Sequence, residues 1–153
     1  MSYRTKSIIA FLVFIAAVLL MTSGEAFLSR PMFYFVPMPW GNWITWVGFI
    51  AFPLSIYYGF SAVRRPKKRF MGLMHILLKL NLILAIVWVP ISYLLAGNIT
   101  NSFSGSATGF QGSPKASEVF WGFNIFLIFL PFSILSAVGI QTVINLLKSK
   151  NNR

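Results

Sequence analysis

His75 and Lys79 stand four residues apart inside an apolar stretch, a spacing that on a helix puts an imidazole and an ammonium on one face. With Asn81, Gln141 and Asn145 expected at comparable depth, they could enclose a small polar pocket for a lipid headgroup, a quinone or a partner's carboxylate. The plainer reading is the preferred one. Lys79 starts only about 13 Å inside its span, so its stem can carry the charge out to the headgroups, and the amides can bond between helices. In a larger assembly, Lys79 is the first choice for an ion pair between subunits.

Other chemistries are bounded by the residues the chain lacks. There are no cysteines, which excludes disulfides, thiolate metal sites and cysteine nucleophiles. A single histidine cannot build a haem site with two His ligands or a His-rich metal site. Of the two acids, Glu118 falls outside the apolar runs and Glu25 is expected at the far interface, at the end of the first span. That removes the usual coupling group of secondary transporters and the paired acids of intramembrane proteases. Ser55 and Ser92 are the available nucleophiles, with no acid or base partner in view, so neither catalysis nor a cofactor is expected.

The elements that position these residues follow from composition. Of 153 residues, 57% are hydrophobic and only 10% charged, with a mean hydropathy of +0.75. That is too little polar surface to coat a soluble globule, so the fold class is an all-α integral membrane protein. Apolar runs place four transmembrane helices in a single polytopic domain, at about 8–28, 43–63, 70–95 and 119–147. The first run follows a basic stretch and precedes Gly24-Glu25-Ala26, a pattern that fits a cleavable signal peptide. Because the segment belongs to the chain, it is read as a retained helix continuing through Thr22 and Ser23 toward Leu28. Pro53, Pro90 and Pro131 predict kinks, and Pro131 is expected to divide the fourth span into two offset halves.

Between the first two spans, residues 29–42 contain three prolines among apolar side chains, so they are expected to lie along the outer interface without regular helix. A re-entrant loop is the alternative. Residues 97–117 form an outer polar loop rich in Gly, Ser, Thr and Asn. Within it, Asn98-Ile99-Thr100 matches a glycosylation triplet. Its glycines lack the Gly-Lys-Ser/Thr of a phosphate-binding loop.

The formal charge of +11 comes from 13 Lys and Arg residues. Arg64, Arg65, Lys67, Lys68 and Arg69 form a tight turn between two spans, and with the two termini they place ten cations on one side against Arg30 and Lys115 on the other. The positive-inside rule then puts both termini in the cytoplasm. The cations are read as binding anionic phospholipids, and nucleic acid is not an expected partner. Applied to the tryptophans, this topology sets Trp40, Trp43, Trp46, Trp88 and Trp121 in the outer third, as interface residues or as an aromatic patch that docks a partner. Gly48, Ala51, Ser55, Gly59 and Ala62 recur at helical spacing as a narrow packing seam.

The expected role is a non-catalytic accessory or assembly subunit of a larger bacterial inner-membrane complex, contacting other membrane subunits and lipids. The alternative is a small channel, lipid carrier or uncoupled transporter with a polar passage near His75 and Lys79.

Overall fold

In the computed structural model, which describes residues 1–24, 26–33, 36–98 and 110–151, the chain is all-α apart from one short hairpin. Helix α1 (Tyr3–Thr22) starts at Ser2, whose Oγ accepts from the Thr5 N–H at 3.1 Å. It ends earlier than expected, just before Gly24, whose φ of +67° lies in the left-handed region that a helix cannot continue through. Thr22 Oγ1 donates to Val18 O and Leu19 O, and Ser23 Oγ donates to Leu20 O. Glu25 lies outside the described residues.

After a 3-10 turn (Ala26–Ser29), residues 29–42 hold more order than their prolines predict. Strands β1 (Pro31–Phe33) and β2 (Val36–Pro39) pair antiparallel, with Pro31 opposite Pro39 and Phe33 opposite Val36. A three-residue pairing with a bulge tolerates proline because few ladder hydrogen bonds are needed. The hairpin does not merely lie against an interface: Met38 is buried among Ala85, Trp88 and Leu127.

Helix α2 (Trp40–Gly59) is followed by Phe60 in an extended conformation and by the single-turn α3 (Ser61–Arg64). Helix α4 (Arg69–Ile86) is separated from α5 (Trp88–Ala96) by Val87. The interruption expected from Pro90 thus falls three residues before the proline. Gly97 closes α5 with φ +74°, a left-handed turn that glycine adopts without a Cβ clash, and its N–H reaches Tyr93 O at 2.9 Å. Helix α6 (Pro114–Asn151) is continuous over 38 residues and Pro131 does not divide it. At 1.5 Å per residue it runs about 57 Å, well beyond a hydrocarbon core of about 30 Å.

Among the described residues, three helices are long and apolar enough to cross a membrane: α1, α4 and the portion Pro114–Ile144 of α6. Helix α2 matches α1 in length and is not among them; it carries three tryptophans, two tyrosines and Asn42.

Contacts define the relative directions. Ser7 meets Ser55, Ala17 meets Gly48 and Met21 meets Thr45, so α1 and α2 are antiparallel. One apolar core joins Phe52, Ile56 and Val63 to Met71, Met74 and Leu78 of α4 and to Ile134 and Val138 of α6. A second gathers Met38, Ala85, Trp88 and Leu127 at the other end. Helix α6 therefore runs from Trp88 back toward the basic turn, antiparallel to α4.

Candidate functional site

Several polar side chains inside these helices are spent on one another and on backbone, while Trp43 Nε1 and Ser92 Oγ are buried without a hydrogen bond. Trp46 Nε1 donates to Ala85 O at 2.9 Å and Ile86 O at 3.1 Å. Ile86 is the residue whose carbonyl Pro90 cannot serve, since proline has no N–H to return four positions. Asn81 Nδ2 donates to Leu127 O at 3.3 Å, and Leu127 stands in the same relation to Pro131. Trp88 Nε1 donates to Asn124 Oδ1 at 2.8 Å, and Asn124 Nδ2 to Phe120 O at 2.7 Å. His75 Nδ1 lies 2.8 Å from Val63 O, which ties α4 to α3 across the basic turn.

Of the expected polar cluster, His75, Lys79 and Asn81 do not converge on one pocket. His75 is engaged with Val63, Lys79 is exposed, and Asn81 is fully buried toward α6. Lys79 and Asn81 differ by about 200° around the helix at 100° per residue, so they face apart. Gln141 is half-buried on α6, and the side chain of Asn145 lies outside the described residues. The space between α2, α4 and α6 beside His75 is filled by the core of Phe52, Met74, Leu78 and Ile134.

The small-residue seam has an occupant within the chain. Gly48 approaches Ala17 so closely that an added Cβ would lie 3.2 Å from the Ala17 Cβ, and one on Gly59 would lie 2.8 Å from Ser7 Oγ. Ser7 Oγ donates to Ser55 O at 2.7 Å between them. Ala51 and Ser55 are buried, whereas Ala62 lies past the break at Phe60, exposed on α3 and off the seam. The stripe serves α1.

The tryptophans do not form one exposed patch either. Trp88 is 2% exposed and committed to Asn124. Trp43 and Trp46 are half-buried with ring centroids 5.5 Å apart, and Phe33 meets Trp43 edge-on. Trp40 and Trp121 remain exposed.

Among the described residues, two concave features stand out. A groove of about 610 Å³ opens between α1, α2 and α6, lined by Phe14, Phe52, Phe132, Trp88 and Trp121 with Asn124 among them. Its size falls in the roughly 300–1,000 Å³ range of small-molecule sites. Helix α1 forms one wall and makes its substantial contacts with α2 alone. Of its described residues only Ala17 is buried, and Ile8, Phe11, Leu12, Ile15 and Leu19 are exposed.

The second feature lies at the cationic end, where α1, the end of α2 and α3 converge on a pocket of about 440 Å³. The Arg64 guanidinium carbon stacks 3.8 Å from the Tyr3 ring centroid, and Arg64 Nη1 donates to Tyr58 O at 3.0 Å. Lys6 Nζ sits 5.8 Å and 5.6 Å from the rings of Tyr3 and Tyr58. Arg65, Lys67, Lys68 and Arg69 are exposed beside it. Compared with protein-family models, curated proteins and solved structures, the chain matches none. Function must therefore be argued from these two features. Among the described residues no group of three or more His, Asp or Glu side chains could hold a metal ion.

Sequence reasoning named Arg64 but missed its partners Tyr3 and Tyr58 and the packing of Lys6 on the same two rings, and it missed the groove. The spacing Tyr3, Lys6 places ring and ammonium on one face of α1, the only advance signal for the first. The polar Asn124 within an aromatic run was the signal for the second.

Proposed function

We propose that this chain is a non-catalytic accessory subunit of a larger bacterial inner-membrane complex. It crosses the bilayer four times, as α1, α2, α4–α5 and α6, with the termini and the basic turn on the cytoplasmic side. The topology is supported by the meeting of Tyr3 with Arg64 and of Val138 with Val63, which gathers the cation-rich segments at one end. Within that bilayer, α2 is the span that packs against α1, α4 and α6.

One observation carries the role: the groove between α1 and α6. Its walls are aromatic and aliphatic, its one amide, Asn124, is already engaged, and α1 leaves most of its circumference unpartnered. A ridge of side chains from a neighbouring membrane helix fits such a surface through packing rather than through hydrogen bonds. The hydrogen bonds of Trp46, Asn81, His75 and Trp88, all spent within the fold, support a scaffold in preference to an enzyme.

A lipid carrier is the second reading, favoured by the size and apolarity of the same groove. The polar passage near His75 and Lys79 gains no support, since one residue is bonded to Val63 and the other is exposed. Photo-crosslinking in intact membranes separates the readings. A crosslinker at Ile128, on the groove wall, is expected to give one discrete protein adduct, whereas one at Ile83, on the exposed face of α4, gives none. Lipid adducts alone at Ile128 select the carrier, and equal protein adducts at both positions overturn the groove as the docking face.

A further inference from the structure

We propose that the pocket at the cationic end binds the phosphodiester headgroup of one anionic phospholipid, with Arg4 and Arg64 as its charge partners. The proposal rests on the membrane-spanning reading above and deepens it from a diffuse cationic surface to a defined site.

Charge balance is the first argument. Arg4, Lys6, Arg64, Arg65, Lys67, Lys68 and Arg69 crowd this end of the molecule, and no acidic side chain among the described residues lies there. Glu118, the one described acid, stands in the first turns of α6 at the opposite end. Like charges held this close require anions from outside the chain.

Geometry is the second. The extended Phe60 stops α2 at Gly59 and swings α3 aside, which leaves a concavity lined by Tyr3, Arg4, Ser7, Tyr58, Ser61 and Arg64. Arg64 is oriented before any ligand arrives, by the Tyr3 ring on one face and the Tyr58 carbonyl at Nη1. Its Nε is enclosed without a partner, so its remaining terminal N–H groups are the donors left for an anion. A guanidinium held in place presents paired donors that match phosphate oxygens, which a freely rotating surface lysine does not.

Composition of the walls is the third. Ile8 and the two tyrosine rings give the pocket an apolar side next to the cations. A lipid phosphate brings glycerol and methylene groups to that side, and free inorganic phosphate does not.

The test uses the full chain purified in mild detergent, with native mass spectrometry counting retained lipid after exchange into phosphatidylglycerol or phosphatidylcholine. Carbonate extraction of membranes checks the membrane reading separately, so its failure is distinguishable from loss of this site. The expected result is one phosphatidylglycerol retained per chain and little phosphatidylcholine. Arg64→Gln and Arg4→Gln each lower that retention by about five-fold, and Arg65→Gln, outside the pocket, by less than about two-fold. Should Arg64→Gln lose helicity by circular dichroism, Arg4→Gln carries the comparison, because Arg4 is exposed and holds no packing contact of that kind. Equal losses from Arg65→Gln and Arg4→Gln overturn the site in favour of diffuse charge. Equal retention of phosphatidylcholine, or full displacement by millimolar inorganic phosphate, overturns the lipid assignment.

Discussion

The side-chain amide of Asn81 on α4 donates to the backbone carbonyl of Leu127 on α6 at 3.3 Å, and Leu127 lies four residues before Pro131. Proline at 131 has no N–H for that carbonyl and its ring crowds it, a combination that costs a helix interior about 3 kcal/mol when nothing replaces the bond. Asn81 supplies the replacement from a neighbouring helix. That bond offsets part of what Pro131 removes from α6, which runs unbroken past it.

The relation predicts a specific coupling. Asn81→Ala is expected to destabilise the fold by about 1 kcal/mol, in the range of polar contacts between membrane helices. In a Pro131→Ala background, where an N–H at 131 serves Leu127 directly, the same change is expected to cost less than about 0.5 kcal/mol. A double-mutant cycle read by unfolding in mixed micelles checks this. Additive losses would show that the amide supports something other than the proline-freed carbonyl.

Trp46 plays the equivalent part at Pro90, with its indole N–H divided between Ala85 O and Ile86 O. Trp46→Phe keeps the ring and removes the donor, and is expected to cost about 1 kcal/mol. Hydrogen exchange at the amides around Val87 should quicken while those of α1 stay unchanged, which localises the effect to the α4–α5 joint.

The seam between α1 and α2 is tight enough to be tested by size. Gly48→Leu forces a branched side chain against Ala17, where even a Cβ lies at 3.2 Å, and is expected to cost about 1–3 kcal/mol by overpacking. Because the chain has no native cysteine, Met21→Cys paired with Thr45→Cys reports the docking of α1 cleanly. Those side chains meet at 3.5 Å, so oxidative crosslinking should be efficient in the parent and fall several-fold with Gly48→Leu.

The proposed topology has its own readout. Single cysteines at Ser2, Pro66 and Leu147 are expected to react with an impermeant maleimide from one side of the membrane, and one at Ser113 from the other. Labelling of residues 66 and 113 from the same side would undo the four-span arrangement.

Much of the helical framework was legible because apolar runs and basic flanks are local signals. Helices occupy all four predicted regions, and the basic residues at 64–69 do form the turn. The candidate site was less legible. His75, Lys79 and Asn81 look like neighbours along the chain, yet the rotation of α4 sends Lys79 outward and Asn81 into α6. Trp88 reads as an interface residue by its position, and is buried because Asn124 offers its indole a partner.

Composition and spacing by themselves determined that this chain is all-α, that three of the four expected spans are apolar enough to cross a membrane, and where along the chain its positive charge gathers. These follow from transfer energies and local periodicity, which need no knowledge of neighbours. Only the tertiary structure decided which proline interrupts a helix, which polar side chain is spent on backbone, and which surfaces are left concave. Each of those depends on contacts between segments distant in the sequence, and on which helix fills which seam. Pro131 and Pro90 are the same residue type in similar runs. Asn81 braces an unbroken α6 at the first, and at the second Trp46 serves a joint that has already opened at Val87.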